Sequence, residues 1–253
     1  FDISDMSVAI SNAKIRNCSA KRCEEIIASL EEYIQTSKVT KKTLTDAEDV
    51  CFNKSISDYF EAETYQEVLK ARDYFIQTKD LRDPDWCLVF GSLLHILHGN
   101  RPYALSRRSH PLTPYAPTGE FERKHLTTHL STKVFKSLEE KRKTSIVEGK
   151  CWQTDILSNW DQEISGVQAI ITSPPFVAST KFYMTNWMRF WFAGCLLADG
   201  SSPATFTGDG EYLDPDPVLA QIAATSVESK REIGPATGKA AESFLARAFK
   251  AAG

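Results

Sequence analysis

The chain has 253 residues, of which 42% are apolar, 25% charged and 11% aromatic, a composition that excludes intrinsic disorder, a collagen-like repeat and a disulfide-held miniprotein. The net charge of −3 excludes a uniformly basic polyanion binder. It is, however, the sum of unlike blocks: −5 over residues 1–100, +6 over 101–150 and −4 over 151–253.

The chain opens on what reads as a strand end (Phe1, Asp2, Ile3). A Ser4/Asp5 cap follows, then a helix with Met6, Ala9, Ile10 and Ala13 at helical spacing. Residues 19–37 set Cys23, Ile26, Ile27, Leu30 and Ile34 on one face and Glu24, Glu25, Glu31 and Glu32 on the other, an amphipathic helix. A polar stretch at 36–49 predicts no element. Helices are expected near 59–78 and near 84–98, the latter ending at Gly99-Asn100, so that 18–100 reads as a helical unit.

From Arg101 four prolines (Pro102, Pro111, Pro114, Pro117) forbid a long helix, and a charged helix follows near 131–143. The runs 145–149 (SIVEG) and 167–176 (VQAIITSPPF) read as strands separated by a helix-length segment, an α/β pattern. Residues 182–197 form an aromatic-dense helix, and beyond Asp199 the chain turns Ala-, Ser- and Gly-rich. No leader or bilayer-length apolar run is read: the stretch from Trp187 to Leu197 is far short of the ~20 residues needed and holds Arg189. Six scattered cysteines, without a CxxC pair or metal-ligand spacing to histidine, predict reduced thiols in a soluble, cytoplasmic protein that holds no metal.

The chemistry-bearing stretch is Ser173-Pro174-Pro175-Phe176, at the end of a strand-like run. Proline fixes φ, lacks an N–H and restrains the residue before it, so the tetrapeptide is a stiff extended loop. The Ser173 side-chain oxygen and the Pro174 carbonyl become two convergent acceptors, which suit an NH₂ group. Here the chain resembles the amino-group DNA methyltransferases, whose signature is Asp, Asn or Ser, then Pro-Pro, then Tyr, Phe or Trp. The resemblance covers residues 1–17 and 86–197, including the basic segment HGNRPYALSRRSHPLTPYAPTGEFE and the run KFYMTNWMRFWF, which look like a bacterial branch of the family.

The resemblance implies an incomplete Rossmann-like, doubly wound α/β domain that uses S-adenosylmethionine and acts on a base flipped out of double-stranded DNA. Ser173 and Pro174 would orient the exocyclic amine, Pro175 hold the turn and Phe176 stack on the base; the Ser variant leans toward cytosine N4. Asp2, with neighbouring Ile3, would meet the cofactor ribose, and Asp155, eighteen residues before Ser173, its adenine amine. Arg101, Arg107 and Arg108 offer guanidinium groups to phosphates or guanine edges, and Tyr103, Tyr115 and His110 offer planar surfaces. A cognate restriction or defence component is an implied partner.

The expected division is a cofactor-half end at 1–17, a helical insertion at 18–100, a basic Pro-rich recognition segment at 101–145, a catalytic half at 146–198 and a tail at 199–253. One departure is plain: the family's glycine-rich cofactor loop is absent, the first glycine being Gly91, and its place in the family order falls upstream of Phe1. Three alternatives stay open at this point. They are an N6-adenine enzyme, an RNA-base enzyme, and a non-catalytic DNA-binding relic whose basic segment binds phosphates; for the arginines themselves the other reading is that they pair with the acidic helices around them.

Overall fold

The computed structural model describes residues 2, 4–48, 54–99, 101–108, 117–154 and 182–194. They form seven α-helices: α1 (Asp5–Ile15), α2 (Ala20–Thr36), α3 (Lys41–Glu48), α4 (Ala62–Gln77), α5 (Pro84–Ile96), α6 (Leu126–Arg142) and α7 (Phe182–Phe192). A 3-10 turn (Ile56–Tyr59) precedes α4. No helix among them is long and apolar enough to cross a membrane.

Helix α5 is the axis of the bundle. Its sequence is apolar nearly all round, with Trp86, Leu88, Val89, Phe90, Leu93 and Leu94 all buried, the pattern of a helix packed on every side. It starts cleanly because the Asp83 carboxylate accepts from the Asp85 and Trp86 N–H groups and Pro84 occupies the first helical position. Helices α1, α2 and α6 pack on it. The amphipathic reading of α2 holds: Cys23, Ile26, Ile27, Leu30 and Ile34 face the core and the four glutamates face out. Burying each large aliphatic chain contributes roughly 1.5–3 kcal/mol before chain entropy is subtracted.

Helix α7 closes the core with aromatic edges. Phe192 lies 6.2 Å from Phe75 and from Phe90, and Trp187 meets Tyr59 at 5.3 Å. It is tied to α4 by Arg72, whose Nε donates to the Trp191 carbonyl at 2.9 Å while its guanidinium sits 5.3 Å from the Trp191 ring centre. The same guanidinium bonds Asp46 at 2.8 Å and Thr43 Oγ1 at 3.1 Å. Asp73 accepts from Thr40 N and Oγ1, both at 3.0 Å, and from Thr43 Oγ1. Arg72 and Asp73 therefore hold α3 from the side, and Thr40 Oγ1 caps it by accepting from the Thr43 N–H at 3.2 Å, so a helix forms inside the polar stretch 36–49.

The expected Rossmann-like α/β sheet is overturned. The described residues are helical and contain no strand; their β pairing is confined to isolated bridges, Asp2 with Gln153 (parallel) and Arg108 with Thr118 (antiparallel). Residues 145–149, expected as a strand, run without one for a physical reason. Val147 is 92% exposed, so there is no apolar face to bury, and the Gly149 N–H bonds the Ile15 carbonyl at the end of α1 instead of a neighbouring strand. The strand-like run at 167–172 lies outside the described residues. The charged helix begins earlier than expected, at Leu126, because Glu67 of α4 accepts from the Leu126 N–H at 2.7 Å.

Residues 148–154 run beside α1. Asn12, fully buried, donates to the Leu81 and Cys151 carbonyls at 3.0 Å each and accepts from Cys151 N at 2.9 Å, so its amide is satisfied on both ends. Beyond it Asp2 N bonds Trp152 O at 3.1 Å and Thr154 N bonds Asp2 O at 3.0 Å. Cys18, Cys23, Cys87 and Cys151 are free thiols.

Candidate functional site

The basic segment folds over one end of α4 and α5. Its first turn returns to the bundle through Leu105 N to Ile96 O at 2.8 Å and Arg107 N to Tyr59 O at 2.6 Å. Arg108 then pairs with Thr118, with Thr118 N on Arg108 O at 2.7 Å. Gly119 follows at φ +89°, a left-handed turn that a side chain would strain. That turn brings Phe121 back toward the arginines.

The result is a cavity of about 930 Å³ whose wall includes Arg101, Arg107, Arg108, Phe121 and Lys124 together with the carboxylates Glu61, Glu120 and Glu122, the last 3.8 Å from Lys124 Nζ. The Arg107 guanidinium carbon lies 3.2 Å from the centre of the Phe121 ring, and the ring itself is 52% exposed, so a planar cation and an aromatic face are presented together. Arg107 Nε is buried and, among the described residues, has no hydrogen-bond acceptor.

Arg123, in the same segment, is arranged differently. It donates to Glu63 at 2.8 Å and to Glu67 at 2.7 Å, both on α4, and to the Lys124 carbonyl at 3.0 Å. It is a structural clamp. Among the described residues no carboxylate lies in ion-pair range of Arg101, Arg107 or Arg108. Glu61, which lines the cavity, is already occupied: it caps α4 by accepting from Thr64 N and Glu63 N, and those bonds hold its carboxyl below the usual carboxylate range. The pairing of basic residues with acidic helices thus describes Arg123 and not the other three.

Tyr103 lies half-buried with its ring stacked on His95 at 5.7 Å and its hydroxyl 3.2 Å from His95 Nε2. Arg101 Nη1 also contacts His95 Nε2. A guanidinium only donates, so Nε2 is the acceptor and the imidazole is neutral. Its pKa is pushed down to about 4, by burial first and then by Lys133, Arg101 and Arg189. Tyr103 is therefore packed against the bundle on one face.

Of the other expected site residues, Asp2 is half-buried, and its Oδ1 accepts from Ser4 N at 2.8 Å at the start of α1. Ile3, His110, Tyr115, Asp155 and the motif Ser173, Pro174, Pro175 and Phe176 lie outside the described residues. Phe121 and Lys124 were missed in the sequence. The signal for Phe121 was an aromatic ring set among charges in the run 119–124. No protein-family profile, curated protein or solved structure matches the chain.

Proposed function

We propose that the chain is an S-adenosylmethionine-dependent methyltransferase of an exocyclic amino group in double-stranded DNA, cytosine N4 first, with Arg101, Arg107 and Arg108 contacting the nucleic acid. The observation that carries the DNA half of this reading is the cavity in which those guanidiniums stand beside an exposed Phe121 ring without described carboxylate partners, while Arg123 next to them is fully clamped. The catalytic half rests on the Ser173-Pro174-Pro175-Phe176 resemblance.

Asp2 suits a cofactor ribose. Its Oδ1 is oriented by the Ser4 N–H, and Oδ2 has no partner among the described residues, leaving an acceptor for a diol. S-adenosylmethionine, when bound, supplies an electrophilic methyl group. In this reading the Ser173 hydroxyl and the Pro174 carbonyl accept the two N–H bonds of the target amine, drawing its lone pair out of ring conjugation. Pro175 keeps those acceptors rigid, and Phe176 stacks on the flipped base, worth roughly 1–3 kcal/mol. The rate gain comes from orientation and fixed dipoles, with no covalent bond to the protein.

The test is to incubate the protein with duplex DNA and isotopically labelled S-adenosylmethionine, digest the DNA and identify the nucleoside by mass spectrometry. N4-methylcytosine is expected, and Ser173→Ala should abolish it while leaving DNA affinity unchanged. Label found only in RNA, or tight DNA binding without any methyl transfer, overturns the reading. Replacing Arg107 and Arg108 by Gln should reduce the salt dependence of DNA binding by about 0.9 log unit per log unit of salt for each phosphate no longer neutralised.

A further inference from the structure

A second cavity, about 1020 Å³, lies between α1, α5, α6 and α7, and its ionisable lining is one-sided. Lys14, Lys133, Lys136, Lys141 and Arg189 face it, against a single described carboxylate, Glu140. Two of these groups are already engaged. Lys141 Nζ caps the end of α1 through the Ala13 and Arg16 carbonyls, the latter at 2.6 Å, and Glu140 pairs outward with Lys143 at 3.0 Å.

Arg189 is the informative residue. Its guanidinium is held in place by neutral acceptors, the Leu94 carbonyl at 2.9 Å and Asn186 Oδ1 at 2.7 Å, and no described carboxylate balances it. Burial, and then Arg101, push its pKa down. Lys133 is similarly pushed down, by burial and then by Lys136 and Arg101, against the Tyr103 phenol. A fixed, half-buried cation ringed by other cations is costly unless an anion completes the site.

The two cavities are joined by Arg101, which lines the first and touches His95 of the second. Lys133 and Lys136 stand one turn apart on the same face of α6. We propose that this groove is a second phosphate-binding track for nucleic acid: Lys133 and Lys136 take consecutive backbone phosphates, Arg189 supplies the fixed positive charge beneath them, and Arg101 joins the track to the Arg107–Arg108 cavity. The proposal rests on the reading that the chain binds DNA, and it names where the backbone runs beyond the first cavity.

The experiment is anisotropy of a labelled duplex oligonucleotide titrated with the full chain at several salt concentrations. For the double variant Lys133→Gln/Lys136→Gln the log–log salt slope should fall by about 1.8, the share of two phosphates. Glu140→Gln, which removes the groove's one described carboxylate, should tighten binding at low salt. Lys136 and Glu140 are exposed and Lys133 is half-buried, and an unchanged urea midpoint verifies that the fold is intact. A steep wild-type slope left unaltered by the double variant overturns the track while sparing the DNA reading; a flat wild-type slope overturns the DNA reading itself. A double variant that loses affinity for inorganic phosphate, titrated at constant ionic strength, yet keeps the DNA slope assigns the groove to a free anion and likewise overturns the proposal.

Discussion

Replacing Arg72 with methionine tests whether the polar knot between α3, α4 and α7 stabilises the fold. The substitution roughly keeps volume but removes the charge-assisted bond to Asp46 at 2.8 Å and the bond to the Trp191 carbonyl at 2.9 Å. It also removes the cation over the Trp191 ring. Breaking one side of a buried ion pair costs about 3–5 kcal/mol. Asp46 keeps some exposure to water, its side chain being 16% exposed, and Thr43 Oγ1 still has Asp73, so the loss should sit near the lower end, about 3 kcal/mol. Arg72→Lys keeps the charge without the planar fork and should cost about half as much. Urea unfolding followed by far-ultraviolet circular dichroism measures both, and a cycle with Asp46→Asn isolates the pair. A loss below about 1 kcal/mol for Arg72→Met, or additive effects with Asp46→Asn, would refute the reasoning.

Three further outcomes are expected. His98 is buried and its pKa is pushed down to about 4, by burial first and then by Arg189, whereas an unfolded imidazole titrates near 6.5. Between those values only the unfolded chain takes up the proton, so stability is full above about pH 6.5 and falls as pH drops toward about 4. His95 adds to the same window, and His98→Gln should flatten that part of the stability profile; parallel wild-type and variant profiles would contradict this. Cys23 and Cys87 are each pushed up to about 12, mainly by burial and then by Asp85 for Cys23 and by Asp83 for Cys87. Iodoacetamide should leave both unmodified in the native protein near neutral pH and alkylate both after unfolding, as read by peptide mass spectrometry; labelling of either before unfolding would show the packing to be looser. Asn12→Ala strands the Cys151 N–H and two carbonyls, and should cost about 2 kcal/mol with faster hydrogen exchange at Cys151; unchanged exchange there would count against the role.

The helices that were legible in the sequence are those whose core face repeats at helical spacing, as in α1 and α2. Helix α3 was not, because its local signal is the single cap residue Thr40 and what holds it in place lies in α4, in the side chains of Arg72 and Asp73. The segment 145–149 reads as a strand from its β-branched residues, but nothing local says whether Val147 will find a surface to cover. The site shows the same division. The basic block pointed to Arg101, Arg107 and Arg108, yet sequence could not separate them from Arg123, whose partners Glu63 and Glu67 become neighbours only through the packing of α4. The groove around Arg189 was out of reach altogether, since it joins residues from four helices spread over most of the chain.

The clasp at the end of α1 has an architectural consequence. Asn17 N meets Glu148 Oε1 at 3.0 Å and Gly149 N meets Ile15 O at 3.1 Å, so the chain leaves and re-enters at nearly one point. Everything between, including Arg101, Arg107, Arg108, Lys133 and Lys136, is topologically a cassette on a closed stem. A graft with junctions at Asn17 and Glu148 would transplant those cations together, and a recipient must supply a matching stem and surfaces that replace both α1 against α5 and α7 against α4 and α5.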